Sequence, residues 1–140
     1  MVETRAALLK ASPHVSVKQR GVFVGAIDQM DRRIKRVVSL LDQQYRDPPS
    51  IEQLADAVGL SASRLAHLFR EEMAMSIQSY IVDRRLVMAA MLIVQTDERI
   101  SQIAYSVGFG DVSNFNHSFK RRFEMSPREY RANHESPERA

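Results

Sequence analysis

Two histidines, His67 and His117, stand 50 positions apart, each within a run of small and polar residues. Ser63 and Ala66 precede the first, and Val112, Ser113, Asn114 and Asn116 precede the second. Ser and His can exchange hydrogen bonds with the edges of DNA bases, Asn can pair a donor and an acceptor with adenine, and Ala can touch a thymine methyl. Cations flank both runs: Arg64 and Arg70 around the first, Lys120, Arg121 and Arg122 after the second. Such groups hold backbone phosphates, which fix register without reading sequence. These groups suit contact with a polar, anionic partner such as duplex DNA rather than the making or breaking of bonds.

Those residues need helices to present them. After Ser61, a natural N-cap, Leu65, Leu68 and Phe69 fall on one face, leaving Ala62, Ser63, Ala66, His67 and Arg70 outward. Readers cluster at the N-terminal end of a recognition helix, which favours Ser63, Ala66 and His67. After Asp111, Phe115, Phe119 and Phe123 form a second inward stripe. Val112 lies three residues before Phe115, so it belongs to either the outward set or that stripe. Both histidines also fit plain solvent-facing positions. Their matching places in the two runs favour the binding role, and a metal role is disfavoured because they should sit on separate subdomains.

The two runs belong to a longer repeat. Ile51, Gln53, Ala55, Val58 and Gly59 recur 49 positions later as Ile100, Gln102, Ala104, Val107 and Gly108. One extra residue, Gly110, moves the offset to 50, and His67, Phe69, Met75, Ser76 and Tyr80 then match His117, Phe119, Met125, Ser126 and Tyr130. A repeat interrupted only inside a turn is one supersecondary unit used twice. Each copy reads as a short helix, a glycine turn and a second helix, the helix-turn-helix pattern.

The elements around it complete an all-α fold of two helix-turn-helix subdomains joined by a long linker helix. Asp28 or Asp31 caps a helix to about Tyr45, stopped by Asp47-Pro48-Pro49. Ser50-Ile51-Glu52-Gln53 fits a capping box. Ser76 caps the long helix to about Thr96, and a fifth helix covers about Arg99–Val107 before Gly108 and Gly110 turn the chain. Ser126-Pro127-Arg128-Glu129 offers a capping box with proline at the first helical position. The expected divisions are an N-terminal arm or linker at 1–30, with a hint of strand at Val15, Val17, Val22 and Val24, and a first subdomain at 31–75. A linker helix at 76–96, a second subdomain at 97–132 and a polar, frayed tail at 133–140 follow. A linker helix from Ile77 to Gln95 is roughly 28 Å long at about 1.5 Å per residue. Successive major-groove faces lie about 34 Å apart, so one such helix suits two readers about one turn apart.

Composition bounds the alternatives. With 140 residues, 44% of them hydrophobic, the chain can bury a modest core as one domain or two very small ones. It has no cysteine, which excludes disulfides and cysteine-ligated metal sites and is compatible with a reducing cytoplasm. The N-terminus lacks a signal-peptide core, and no apolar run approaches a membrane span. Net charge is +3, and only Lys10, Lys18, Lys35 and Lys120 are lysines among the 20 basic residues. Arginine suits phosphate and base edges through its planar fork, although a GC-rich genome would favour it equally. Charge alone decides nothing.

From about Asp31 to Arg131 the chain resembles the DNA-binding domain of the AraC/XylS family of bacterial transcription regulators. The resemblance is carried by S-I-E-Q-L-A-D-A-V-G-L-S-x-S-R-L-x-H-L-F-R, by R-R-L-x-x-A-x-x-L-I at Arg84–Ile93, and by I-x-x-I-A-x-x-V-G-F. It continues through F-x-x-x-F-K-R-R-F-x-x-S-P-x-x-Y at Phe115–Tyr130. It implies two helix-turn-helix subdomains on a linker helix, transcription activation more often than repression, and base contacts at Ser63, Ala66 and His67. It also implies an internal pairing for one of Arg84 and Arg85. Double-stranded DNA in the bacterial nucleoid is the implied partner, with RNA polymerase a candidate second one and no cofactor, metal or membrane. About 30 residues precede the first helix, too few for the ligand-binding domain common in the family. The expectation is therefore a standalone regulator or a piece of a longer one, able to bind as a monomer, with dimerisation left open.

Two other readings compete. A helical protein-interaction module would show exposed apolar or aromatic anchors where this chain places Ser, Asn, His and Arg. An enzyme would need a glycine-rich phosphate loop, a nucleophile elbow or a metal-spaced carboxylate–histidine set, and none is present. Glu71-Glu72 and Asp97-Glu98 read as solvated helix charges.

Overall fold

The computed structural model describes residues 29–135, and among these every regular element is an α-helix. They are α1 (Arg32–Gln44), α2 (Ile51–Ala57), α3 (Ala62–Met73), α4 (Ile77–Gln95), α5 (Ile100–Ser106), α6 (Val112–Phe123) and α7 (Pro127–His134). The expected arm at 1–30, with its four valines, lies almost wholly outside the described residues, as does the tail beyond Glu135. α7 includes Asn133 and His134, which the polarity of the sequence assigned to that tail.

Short polar side chains start the helices by satisfying backbone N–H groups that have no carbonyl in the preceding turn. Asp31 opens α1, accepting from the Arg33 N–H at 2.8 Å. Ser50 and Gln53 form the expected reciprocal box on α2: the Gln53 N–H donates to Ser50 Oγ at 3.1 Å and the Ser50 N–H to Gln53 Oε1 at 2.9 Å. Ser61 and Asp111 open the two recognition-helix candidates α3 and α6, and Ser126 opens α7 with Pro127 at its first position. α5 is the exception, since Arg99 precedes it and makes no side-chain cap.

The chain forms two compact units whose boundary falls between Val82 and Asp83, inside α4. In the first unit Ile34, Val37 and Leu41 of α1 join Leu54 and Ala55 of α2 and Leu65, Phe69 and Met73 of α3 in one core. Tyr80 closes it: its ring meets Phe69 edge-on at 5.9 Å, and its hydroxyl donates to Asp42 Oδ1 at 2.6 Å. In the second unit the core is aromatic. Phe119 packs against Phe115 at 5.6 Å, Phe123 at 4.6 Å and Tyr130 at 5.4 Å, while Phe109 meets Phe115 at 5.2 Å.

The helix-turn-helix corner is built twice from the same bonds. In the first, Gly59 takes a left-handed φ of +71° and the Leu60 N–H donates to Ala55 O at 3.0 Å. In the second, Gly108 has φ +111° and the Phe109 N–H donates to Ala104 O at 3.0 Å. Glycine is favoured there because a left-handed φ strains a residue that carries a Cβ. Gly110, expected to share that work, does not adopt such a φ, and open space surrounds the place of its missing Cβ. Ala55 and Ala104 are buried, leaving room for the second helix of each corner to approach closely.

Candidate nucleic-acid interface

Helical spacing and burial fix what α3 presents. Leu65, Leu68, Phe69 and Met73 are buried, so the opposite face carries Ser63, Arg64, His67 and Arg70, all exposed. Ser63, His67 and Arg70 follow one another at i, i+4 and i+7, which places them on one stripe. Ala66 is half-buried beside that stripe. His67 Nε2 lies 3.5 Å from Glu71 Oε1, one turn along, with both side chains largely in solvent. An exposed pair of this kind contributes little and yields readily to a better partner.

α6 repeats the arrangement. Phe115 and Phe119 are buried, and Ser113, Asn116, His117 and Lys120 form the matching exposed stripe. Asn114 and Arg121 are exposed as well, but stand at i and i+7 of the neighbouring stripe. Val112 is half-buried at the start of the helix, intermediate between the two positions its sequence context allowed. Lys120 and Arg121 also complement the negative end of the helix dipole in the last turn of α6, a role that needs no ligand.

Arg122 stands apart from the rest of the phosphate set. Its Nε donates to Asp83 Oδ1 at 2.7 Å, and both side chains are mostly shielded from solvent. The guanidinium also lies over the Phe123 ring, 4.9 Å from its centroid. The i, i+1 run Lys120-Arg121-Arg122 winds around the helix, so its last member points back toward α4 rather than outward. Sequence alone ranked all three alike because it carried no sign that Asp83 stands opposite.

Two further cations near α6 escaped the sequence reading. A cleft of about 770 Å³ runs along one side of the helix, and Arg99 and Arg128 line it together with Asn116, His117 and Lys120. The signal was available: in the repeat, Arg99 stands where the first copy has Ser50, and Arg128 where it has Gln78. Arg84 and Arg85, both half-buried, are not part of either exposed stripe.

Among the described residues, no group of three or more His, Asp or Glu side chains could hold a metal ion, and no helix is long and apolar enough to cross a membrane. Tyr105, 56% exposed, is the one large apolar residue left open among them.

Comparison with known proteins bears on the family and the fold. A family model described as a helix-turn-helix domain matches residues 54–133. The chain is 33% identical over 113 residues to the HTH-type transcriptional activator RhaS of Enterobacter sp. (strain 638), a match covering 81% of this chain and 41% of that protein. It is 35% identical over 104 residues to the arabinose operon regulatory protein of Escherichia coli (strain K12), covering 74% of this chain and 36% of that one. It therefore spans about two fifths of the length of these curated relatives. Among solved structures, a Chromobacterium violaceum transcriptional regulator described as AraC-type DNA-binding domain-containing superposes with a TM-score of 0.70 at 30% identity. That superposition covers 75% of this chain and 94% of that one.

Proposed function

The chain belongs to the AraC/XylS family of helix-turn-helix transcription regulators, and from that premise we propose that it is a sequence-specific DNA-binding regulator, more specifically an activator. In this reading α3 and α6 enter the major groove, and Ser63, Ala66 and His67, with Val112, Ser113, Asn114, Asn116 and His117, face base edges. Arg64, Arg70, Lys120 and Arg121 hold phosphates; Arg122 is omitted because Asp83 already occupies it. The observation that carries the proposal is the duplicated exposed stripe, Ser63–His67–Arg70 and Ser113–His117–Lys120, on the second helix of two like corners. Small polar side chains near a helix N-terminus and cations farther along are what groove readout requires.

The near-absence of exposed apolar anchors among the described residues favours this over protein docking. Activation adds RNA polymerase as a second partner, and the names of the relatives support that sign of regulation. Binding as a monomer is the simplest arrangement, because one chain carries both stripes, and the bacterial nucleoid is then its place of action.

Selection of bound duplexes from a random pool tests the proposal. Enriched bases in two blocks about one helical turn apart are the expected outcome, one block for each stripe. A pool with no enriched bases would remove the claim of sequence-specific reading.

A further inference from the structure

Each unit has a cleft at the same place in the repeat, beside its recognition helix and the start of the helix that follows, but the two differ in charge. In the first unit the cleft is about 420 Å³, and its lining includes Ser50, Arg70, Gln78 and Ile81, with Arg70 the sole cation among its lining residues. At the matching places the second, about 770 Å³, has Arg99, Lys120, Arg128 and Arg131. Its lining contains no carboxylate. Four positions of one motif thus gain three positive charges between the copies.

Arg131 is committed to the frame: its Nε donates to Ile93 O at 3.0 Å and its terminal nitrogen to Thr96 O at 3.3 Å, at the end of α4. Arg99, Lys120 and Arg128 are exposed. Cations gathered in a cleft reinforce one another's field, and a row of phosphates can answer several at once. The cleft includes Asn116 and His117 of the reading stripe. A helix seated in the major groove therefore has this cleft beside it, where the groove's phosphate wall runs.

We infer that the second unit's cleft is a phosphate clamp, in which Arg99, Lys120 and Arg128 grip the DNA backbone and add salt-dependent affinity that the first unit's cleft, with Arg70 as its one cation, does not match. The first unit, with Ser50 and Gln78 at the matching places, contributes chiefly through its reading stripe. This rests on the DNA-reading proposal above and assigns the unequal labour of the two copies.

The test is the slope of log binding constant against log salt for the full chain, on a selected duplex and on an unrelated one of equal length. Replacing Arg99→Gln and Arg128→Gln together should lower the slope by about two, at roughly 0.9 per released counterion. The salt penalty between 50 and 200 mM then shrinks roughly tenfold, equally on both duplexes. Arg99→Lys with Arg128→Lys should keep the wild-type slope, because the charge remains. If the double Gln variant fails to fold, Arg128→Gln alone decides by the same measure, with an expected drop of about one. An unchanged slope in a folded Gln variant overturns the clamp while leaving DNA reading intact. Absence of duplex binding by the wild-type chain overturns both.

Discussion

Asp83 holds Arg122 against the body of the second unit, Oδ1 accepting from Nε at 2.7 Å with the two side chains only 12% and 16% exposed. The pair ties the last turn of α6 to α4. Removing one partner leaves the other charge poorly solvated. Asp83→Ala should cost about 2 kcal/mol, the scale of a hydrogen bond to a charged group, measured by urea unfolding. Arg122→Gln, assayed while folded, should leave the salt slope of DNA binding at its wild-type value. A slope lower by about one would return Arg122 to the phosphate set.

His67 and His117 occupy matching exposed positions on α3 and α6. Replacing either with alanine should weaken binding to the selected site by about 1–3 kcal/mol and leave binding to unrelated duplexes nearly unchanged. Competition titrations give both numbers. Equal loss on all duplexes would mean that the imidazoles do not face bases.

Arg70, the matching cation of the first unit, should behave differently. Arg70→Ala is expected to weaken binding to every duplex and to lower the salt slope by about one. A site-specific loss with an unaltered slope would make Arg70 a base reader instead.

Local signals carried most of the fold. Caps at Asp31, Ser50, Ser61, Asp111 and Ser126 act through neighbours two or three residues away, so sequence spacing was enough to find them. The same holds for the inward stripes and for Gly59 and Gly108. Contacts between distant positions were less legible. Asp83 meets Arg122 across 39 positions, and no periodicity announces that pair. The phosphate candidates legible in the sequence all lie on the recognition helices, whereas Arg99 and Arg128 stand on flanking elements. The signal for both is the change of charge between the copies, Ser50 to Arg99 and Gln78 to Arg128.

Two residues that sequence did not flag store backbone strain. Ala74 and Glu124, at matching places after α3 and α6, have φ of +59° and +63°. There each N–H closes the helix by donating to the carbonyl of Arg70 at 2.9 Å or Lys120 at 2.8 Å. A left-handed conformation costs a non-glycine residue about 1–2 kcal/mol, whereas glycine adopts it freely but loses more entropy on folding. The net of the two favours glycine. Ala74→Gly and Glu124→Gly should each stabilise the chain by about 0.5 kcal/mol in urea unfolding, a figure below the gross strain for that entropic reason. Destabilisation by either would show that the left-handed caps are not strained.

The cap of α1 should make stability fall in acid. Asp31 accepts from the Arg33 N–H and from its guanidinium, at 3.2 Å through Nε and 3.0 Å through the terminal nitrogen. The guanidinium bond, followed by the backbone bond, holds the carboxyl below its ordinary value of 3.8. Between the folded and unfolded titrations the unfolded chain binds more protons, so stability rises with pH through that interval. The contribution is therefore complete above the ordinary carboxyl range and is lost as pH falls below about 3.8 through the folded value. Asp31→Asn retains an oxygen for the cap but neither the charge nor the titration. Thermal midpoints of the two proteins should differ at pH 6, with the wild type higher, and converge as the solution is acidified below pH 4. A gap that stays constant or widens in acid would show that the Arg33 contact does not favour the ionised carboxylate.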